Sequence, residues 1–383
     1  MSPNETASDR GSTAPTATST TATTYTLLHV VGSPKDTFSR NMSVMHGRAA
    51  AKAGYEVAGL NLLHRYALVH PGGTWSFPLD LSEEEVVFRK TMAVVAAMDM
   101  VERMRVDLVV MHVHTTTKNY KTLFELLNIP VIGTCGEASA NVADKSTSRA
   151  LLQQAGLPVA HGTVLARAEY RAGHCLGLVE RHGLALPLVV KPTRMEASVG
   201  VTLVASEEEL EDAVQQAFQH GDAVLIDTFI PGREVRSAAL EITDNEFVPL
   251  PVIEYEMPSS HAIRTVANKV EGDGKKLVTA GYRFLGLEDD TELVTRMQEL
   301  AVMAHRVLGC RDFSFIDCRL NEAGELFILE SNVFAAFNPG SVMTKMTLGA
   351  GISHRQFWGA MVRKGLARGA RRKEQKESSV FMF

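Results

Sequence analysis

The sequence predicts a mixed α/β and α+β protein in which an N-terminal, doubly wound parallel sheet is followed by two further modules. Apolar strands alternate with helical patterns from residue 25 to residue 135, and this order favours a parallel sheet. Beyond that region, strands follow one another through hairpin-like connections around helices, which is typical of α+β modules. The 383 residues are 45% apolar and 22% charged, so the chain is long enough for two or three cores.

The first module is predicted over residues 25–135. Its elements, in order, are a strand from Tyr25, a helix at 41–53, a strand at 57–62, a helix at 83–105, a strand at 107–112, a helix at 118–127 and a strand at 129–133. Ligands bind beyond the carboxyl ends of parallel strands, so three residues that follow strands are candidate substrate contacts: Asp36, His112 and His114. For the two histidines, a ring satisfied within its own loop is an equal alternative.

The second and third modules are predicted over residues 136–226 and 227–366. The second contains a helix that ends at Gly156 and another helix that begins with a capping box, in which Ser206 and Glu209 satisfy each other's backbone groups. The third contains a polar loop at 257–276, a helix at 290–308 and a strand–turn–strand hairpin at 313–332.

Both ends of the chain differ in composition from the modules. Residues 1–24 are rich in Ser, Thr, Ala and Pro and are predicted to be a disordered tail. Residues 367–383 are predicted to be a basic tail, and the basic stretch at 363–376 a solvated helix end instead of a nucleic-acid patch.

Charge and cysteine content exclude several classes of protein. The net charge is −5 and the pI about 6.2, which gives no global electrostatic case for nucleic acid or an anionic membrane. No apolar run approaches the roughly 20 residues that span a bilayer. The four cysteines form no CxxC pair, which favours a reduced, cytoplasmic protein with buried thiols.

Three oxygen-bearing side chains in the hairpin at 313–332 form a candidate metal site. Asp317 lies in the first strand, and Glu330 and Asn332 lie two residues apart in the second, so the latter two share one face. Carboxylate and amide oxygens suit Mg²⁺, and carboxylates within apolar strands are costly to bury unless they are paired or bound to a metal. The alternative is a pair of edge-strand carboxylates that face solvent.

Two lysines and a small-residue loop form a candidate phosphate cradle. Lys191 ends an apolar strand, and Lys145 begins a helix. The loop that follows Lys191 contains Ser198 and Gly200, whose backbone N–H groups are suited to phosphate oxygens.

The segment LIDTFIPGRE forms a candidate hinge, because its apolar strand is broken by Pro231 and Gly232. Backbone groups of Thr228, Phe229 and Ile230 are positioned to pair with an adenine edge, and Glu234 follows the turn with a carboxylate for ribose hydroxyls. Taken alone, the segment is an ordinary strand-to-strand linker.

The order of these motifs resembles the ATP-grasp fold and, within it, the D-alanine–D-alanine ligases. The resemblance covers residues 25–348 and implies a carbon–nitrogen ligase that uses ATP and two Mg²⁺ ions on small-molecule substrates. It implies that Lys145 and Lys191 contact phosphates, that Asp227 and Glu234 hold adenine and ribose, and that the enzyme is a homodimer. It also makes Lys269 a lid lysine and Ser341 a contact of the substrate carboxylate.

Three positions depart from the pattern of that family. Ala197 replaces a substrate-contacting serine, Val270 replaces the tyrosine after the lid lysine, and Phe315 replaces an arginine two residues before the metal aspartate. An arginine is expected to stabilise the tetrahedral intermediate, and Arg311 and Arg319 are the two candidates for that role.

The N-terminal stretches LLHVVGSPKDTF, GGTWSFPLDLSEEEV and ELLNIPVIGT are similar to mycosporine-glycine–amine ligases. This second resemblance implies condensation of mycosporine-glycine with the amine of serine, threonine or a similar amino acid, through a phosphorylated intermediate. The alternatives are a D-alanine–D-alanine or other dipeptide ligase and, from a different class, a catalytically silent ATP-binding regulatory protein.

Overall fold

The structure, a computed structural model, describes residues 23–88, 90–113, 117–196, 198–257, 259, 262–264 and 281–380. The helices and strands are β1 (Thr24–Gly32), α1 (Thr37–Ala53), β2 (Asn61–Val69), β3 (Trp75–Ser76), α2 (Glu83–Phe88), α3 (Val94–Arg103), β4 (Leu108–Met111), α4 (Thr117–Leu126), α5 (Gly136–Ala143), α6 (Lys145–Gln154), β5 (Gly162–Ala166), α7 (Cys175–Arg181), β6 (Leu188–Pro192), β7 (Thr202–Val204), α8 (Glu207–Phe218), β8 (Ala223–Thr228), β9 (Arg233–Thr243), β10 (Glu246–Val248), β11 (Val252–Tyr255), β12 (Tyr282–Leu285), α9 (Thr291–Val307), β13 (Phe313–Leu320), β14 (Leu326–Asn332), α10 (Val342–Gly349) and α11 (His354–Val380).

The first sheet has the order β3-β2-β1-β4, and β1 pairs in parallel with both β2 and β4. The predicted parallel sheet is therefore confirmed, with the short β3 as an antiparallel edge strand. The strand predicted at 57–62 begins instead at Asn61, because the Leu60 N–H donates to the Val57 oxygen and closes a turn there.

The single helix predicted at 83–105 is wrong, since two helices, α2 and α3, occupy that region. Met92 and Trp75 exchange backbone hydrogen bonds of 2.8 Å in both directions, so the intervening chain extends to reach β3. The strand predicted at 129–133 is reduced to one bridge, between Val131 and Val109.

The second sheet is antiparallel in the order β5-β8-β6-β7. Helices α7 and α8 cover one face and share an apolar core with the strands. The Glu209 carboxylate accepts the Ser206 N–H at 3.3 Å, as the capping-box prediction requires.

The third sheet has the order β12-β11-β9-β13-β14, with β10 paired to β9. Helix α9 packs against one face. The other face shares one core with the first sheet and α11, because Leu27 and Leu108 pack in the same cluster as Leu240, Phe313 and Trp358. The first and third sheets are therefore joined through a continuous apolar core.

The basic C-terminal stretch is helical as far as Val380, and part of it is buried. The Arg368 guanidinium donates to both oxygens of Asp312, at 2.7 and 2.8 Å, and to the Val131 oxygen at 3.0 Å. The prediction that this stretch is simply solvated is wrong for Arg368, because Asp312 is fully buried.

The cysteines and the apolar character of the helices are two further features of the fold. All four cysteines are free thiols. Among the residues that the structure describes, no helix combines the length and the apolar character needed to cross a bilayer.

Candidate active site

A cleft between the second and third sheets brings most of the sequence-predicted site residues together. Strands β6 and β8 contribute to one side, and β9, β13 and β14 contribute to the other. The predicted residues that line it are Lys145, Lys191, Ser198, Asp227, Thr228, Phe229, Ile230, Glu234, Asp317, Arg319 and Glu330. Gly200 lies in the same loop as Ser198, and both residues have positive φ angles, 72° and 63°.

One end of the cleft holds the two predicted phosphate lysines. Asp144 caps α6 by accepting the Ser146 N–H at 3.0 Å, which places Lys145 on the first turn of the helix. The Lys145 ammonium donates to the Met195 oxygen and lies 3.3 Å from the Glu330 carboxylate.

The second phosphate lysine, Lys191, is held by Asp227. Its ammonium lies 3.0 Å from Asp227 Oδ2, while Arg149 Nη1 donates to Oδ1 at 2.6 Å. This buried carboxylate is shared by two cations, so it positions Lys191. The predicted contact of Asp227 with adenine is therefore not supported by this geometry.

The predicted hinge connects β8 to β9. The amides of Thr228 and Phe229 donate to the oxygens of His161 at 2.8 Å and Pro187 at 3.0 Å, so of the three residues Ile230 is the one whose amide an adenine edge would meet. Gly232 has φ 131°, and a Cβ there would lie 2.1 Å from the Leu320 oxygen. Glycine is therefore required for the hinge to pack on the end of β13.

Glu234, the predicted ribose carboxylate, is buried and paired with two arginines. Arg264 Nε donates to Oε1 at 2.5 Å, and its guanidinium lies 3.5 Å from the centre of the Tyr255 ring. Arg319 Nη2 lies 3.6 Å from Oε2, and Arg319 also donates to the Gly232 oxygen at 2.9 Å. Arg319 therefore belongs to the end of the cleft that is predicted to hold the nucleoside, which makes it a poor candidate for stabilising a reaction intermediate.

The candidate metal residues lie on one face of the third sheet. Asp317 on β13 and Glu330 on β14 are directly opposite each other in the register, and Asn332 is opposite Phe315. Arg236 on β9 is in register with Asp317 and donates to it through Nε at 2.5 Å and Nη2 at 2.6 Å. Asn332 Oδ1 accepts the Phe334 N–H at 2.7 Å.

This face fits a magnesium ion that shares its ligands with phosphates. Asp317 and Glu330 supply two adjacent carboxylates, each of which now faces a cation, Arg236 or Lys145. Within the described part of the chain, no three His, Cys, Asp or Glu residues converge as a metal site. Mg²⁺ commonly takes one or two carboxylates and completes its shell with water and substrate phosphates, so two carboxylates suffice here.

Electrostatics keep two partly buried arginines charged, Arg264 in the cleft and Arg236 beside Asp317. Burial alone lowers the pKa of Arg236, but the charge of Asp317 and the more distant Glu330 outweigh it and raise that pKa above its usual value. Burial likewise lowers the pKa of Arg264, and Glu234 outweighs it, so that this pKa is also raised. The cleft lining thus holds four cationic side chains, Lys145, Lys191, Arg264 and Arg319, and each lies within 3.6 Å of one of the lining carboxylates.

Besides Gly200 and Asn332, which do not line the cleft themselves, four predicted site residues lie elsewhere in the fold. Arg311 Nε donates to the Gly133 oxygen at 2.9 Å, where the first and third sheets meet, so its proposed role at the intermediate is wrong. His112 is fully buried, with Nε2 3.2 Å from His29 Nδ1, and a direct substrate contact is wrong for it too. Asp36 caps α1 by accepting the Ser39 N–H at 2.6 Å, and Ser341 caps α10 by accepting the Thr344 N–H at 3.2 Å.

Four other predicted site residues lie outside the described residues: His114, Ala197, Lys269 and Val270. Their roles stay predictions.

Three arginines of the site were missed by sequence reasoning: Arg149, Arg236 and Arg264. Arg149 follows Lys145 by four residues on α6, and Arg236 follows Glu234 by two on β9. Helical and strand periodicity place each beside its predicted neighbour, so those two carried a usable signal. Arg264 lies in irregular chain and carried none.

Comparison with known proteins agrees with this architecture. Residues 151–363 match the family model described as the D-ala D-ala ligase C-terminus. The chain is 31% identical over 259 residues to a D-alanine–D-alanine ligase of Shouchella clausii, covering 68% of this chain and 67% of the relative. It is 32% identical over 238 residues to the enzyme of that name from Halalkalibacterium halodurans, covering 62% and 73%.

A solved structure extends the likeness over nearly the whole chain. The D-alanine-D-alanine ligase from Coxiella burnetii superposes with a TM-score of 0.71 and 16% sequence identity, over 93% of this chain and 97% of that one. At this identity the likeness concerns the fold alone.

Proposed function

The chain belongs to the D-alanine–D-alanine ligase family, and from that premise we propose that it is a dipeptide ligase that joins the carboxylate of one small amino acid to the amine of another. As a member of this family it is an ATP-grasp carbon–nitrogen ligase that uses ATP and Mg²⁺ and forms ADP and phosphate. The observation that carries the proposal is the convergence of Lys145, Lys191, Glu234, Asp317 and Glu330 on one cleft.

In the proposed reaction, bound MgATP supplies the phosphoryl group that activates the first carboxylate. Lys145 and Lys191 neutralise phosphate charge, and Asp227 with Arg149 fixes the position of Lys191. Asp317 and Glu330 would hold the metal, and Glu234 would exchange its pair with Arg264 for ribose hydroxyls. These residues act mainly by positioning and by charge neutralisation.

The proposed reaction has two steps, phosphorylation of the carboxylate and attack by the amine. A carboxylate oxygen of the first amino acid bonds to the transferred phosphorus, and the electron pair of the broken P–O bond leaves with ADP. The amine nitrogen of the second amino acid then bonds to the carbonyl carbon, phosphate departs with its electron pair, and the proton lost by nitrogen ends on phosphate.

Condensation with mycosporine-glycine has less support. The two relatives described above are D-alanine–D-alanine ligases, which favours the dipeptide reaction. The mycosporine hypothesis depends on three N-terminal stretches and on departures at positions 197, 270 and 315. A catalytically silent regulator is disfavoured, since both phosphate lysines and both metal-facing carboxylates line the cleft.

The test is phosphate release with MgATP, followed by mass analysis of the products. One arm contains D-alanine alone, a second contains pairs of small amino acids, and a third contains mycosporine-glycine with serine or threonine. Dipeptide and phosphate in the first two arms would support the proposal. Product in the third arm alone would refute it and establish the mycosporine reaction.

A further inference from the structure

The attack of an amine on an acyl phosphate needs a cation, and among the described residues neither of the two predicted arginines supplies it. Negative charge develops on the carbonyl oxygen in that step, and a fixed donor must already face it. Arg311 binds main-chain oxygens at the junction of the first and third sheets, and Arg319 binds the hinge. On β13, Phe315 occupies the position at which the family resemblance predicts an arginine.

Arg236 lies next to that position, on the neighbouring strand. It is in register with Asp317, while Phe315 is in register with Ala238, two residues farther along β9. The Arg236 guanidinium lies 5.7 Å from the centre of the Phe315 ring and 5.6 Å from that of Tyr255. Diagonal neighbours on a sheet face are about 7–8 Å apart, so a long side chain at position 236 reaches the edge of the sheet face that Phe315 occupies.

The pair with Asp317 leaves part of the guanidinium able to bind a substrate. Two of its five N–H groups donate to Asp317. The rigid, bidentate geometry aims the planar group at the same face as Glu330, where the metal and the transferred phosphoryl group are expected.

We propose that Arg236 is a catalytic residue, whose guanidinium stabilises the transferred phosphoryl group and the carbonyl oxygen while the amine attacks. The proposal rests on the proposed ligase function and assigns this task to β9 instead of β13. Arg236 keeps its proton throughout. The nitrogen–carbon bond forms as the carbonyl π pair moves onto oxygen; that pair then returns as phosphate departs and takes up the proton released by nitrogen.

The principal test compares Arg236→Lys with Arg233→Lys. Arg233 is a matched control because it lies on the same strand, forms a bidentate pair with Glu254 at 2.5 and 2.9 Å, and projects to the opposite face. Arg236→Lys retains a positive charge beside Asp317 but loses the planar guanidinium and its bidentate hydrogen bonds. We expect kcat to fall about 10²–10³-fold, with MgADP affinity unchanged, while Arg233→Lys behaves as the wild type does.

A second measurement is independent of the amino acid substrate. MgADP with aluminium fluoride mimics the transferred phosphoryl group, and its binding can be followed by calorimetry. We expect Arg236→Lys and Arg236→Gln to weaken binding of this mixture at least tenfold, and Arg233→Lys to leave it intact. Arg236→Gln serves as the second variant because it is neutral and retains donors for Asp317.

Failure of this inference can be distinguished from failure of the proposed function. If wild-type protein makes no dipeptide, the ligase proposal fails, and the fluoride complex still tests Arg236. If the Arg236 variants keep kcat within threefold, or bind the fluoride complex as wild type does, Arg236 serves only to hold Asp317. Arg236→Lys is a poor test if it unfolds while Arg233→Lys does not. In that case the inference is overturned if Arg236→Gln folds and binds the fluoride complex as wild type does.

Discussion

Acidification should destabilise the fold through His112, and a substitution there should remove a defined part of the effect. His112 is fully buried, and its Nε2 lies 3.2 Å from His29 Nδ1. Burial, with a smaller contribution from His46, lowers the pKa of His112 from its ordinary value near 6.5 to about 3. Between these two pH values the unfolded chain binds a proton that the folded chain does not, so stability falls as pH decreases.

The magnitude follows from that pKa difference. At pH 7.5 both states are neutral at this site and the contribution is close to zero. A pH of 5 is about 1.5 units below the pKa of the histidine in the unfolded chain. At 1.36 kcal/mol per unit, protonation of the unfolded chain lowers the free energy of unfolding by about 2 kcal/mol. His29, whose pKa is lowered chiefly by burial and then by His112, changes stability in the same direction.

The assay is denaturant unfolding of wild type, His112→Gln and the control His220→Gln at pH 7.5 and pH 5. The loss of stability between the two pH values should be about 2 kcal/mol smaller in His112→Gln than in wild type. His220 is exposed, so its variant should lose as much as wild type does. An equal loss in all three proteins would refute the reasoning, because His112 would then take up its proton without cost to the fold.

Three further substitutions test other parts of the structure. Glu330→Gln should lower kcat at least about 10²-fold by weakening the metal site. The melting temperature without ligand should stay close to that of wild type, because the Glu330 side chain is partly exposed and pairs with one lysine. Near-normal turnover would remove Glu330 from the metal site. Gly232→Ala should cost about 1–3 kcal/mol in denaturant unfolding, since its Cβ would approach the Leu320 oxygen at 2.1 Å, and an unchanged midpoint would mean that the hinge repacks freely. Arg368→Met should cost about 3–5 kcal/mol, as it leaves the buried Asp312 without its bidentate partner. A loss below about 1 kcal/mol would show that Lys364 and the Gly133 N–H are enough to satisfy Asp312.

Residues whose placement depends on one strand or helix could be predicted from the sequence. The two-residue strand period and the tight hairpin turn were enough to bring Asp317 and Glu330 to one face. The prediction that Lys145 begins a helix is confirmed, and the first turn of α6 places the lysine in the lining of the cleft. In both cases the information is local, since the chain on either side determines the direction of the side chain.

Features that depend on contacts between distant segments could not be predicted. Nothing near Met92 indicates that it pairs with Trp75 and interrupts a helical pattern. The position of Arg311 depends on oxygens more than 170 residues earlier in the chain. The partnership of Arg236 with Asp317 required the order of strands in the third sheet, which places β9 beside β13, and the sequence does not reveal that order.

The way the second sheet connects to the rest of the chain has a mechanical consequence. The chain enters this sheet just after Val159, which bridges to Ile328, and leaves it at Gly232, which lies against Leu320. Both crossings rest on the same β13–β14 hairpin, so they define a short axis about which the second sheet can rotate as a body. We expect such a rotation to move Lys191 relative to Lys145 on α6 and to stretch the link from Arg149 on α6 to Asp227 on β8. The separation of these two ammonium groups would then report directly how far the cleft has closed.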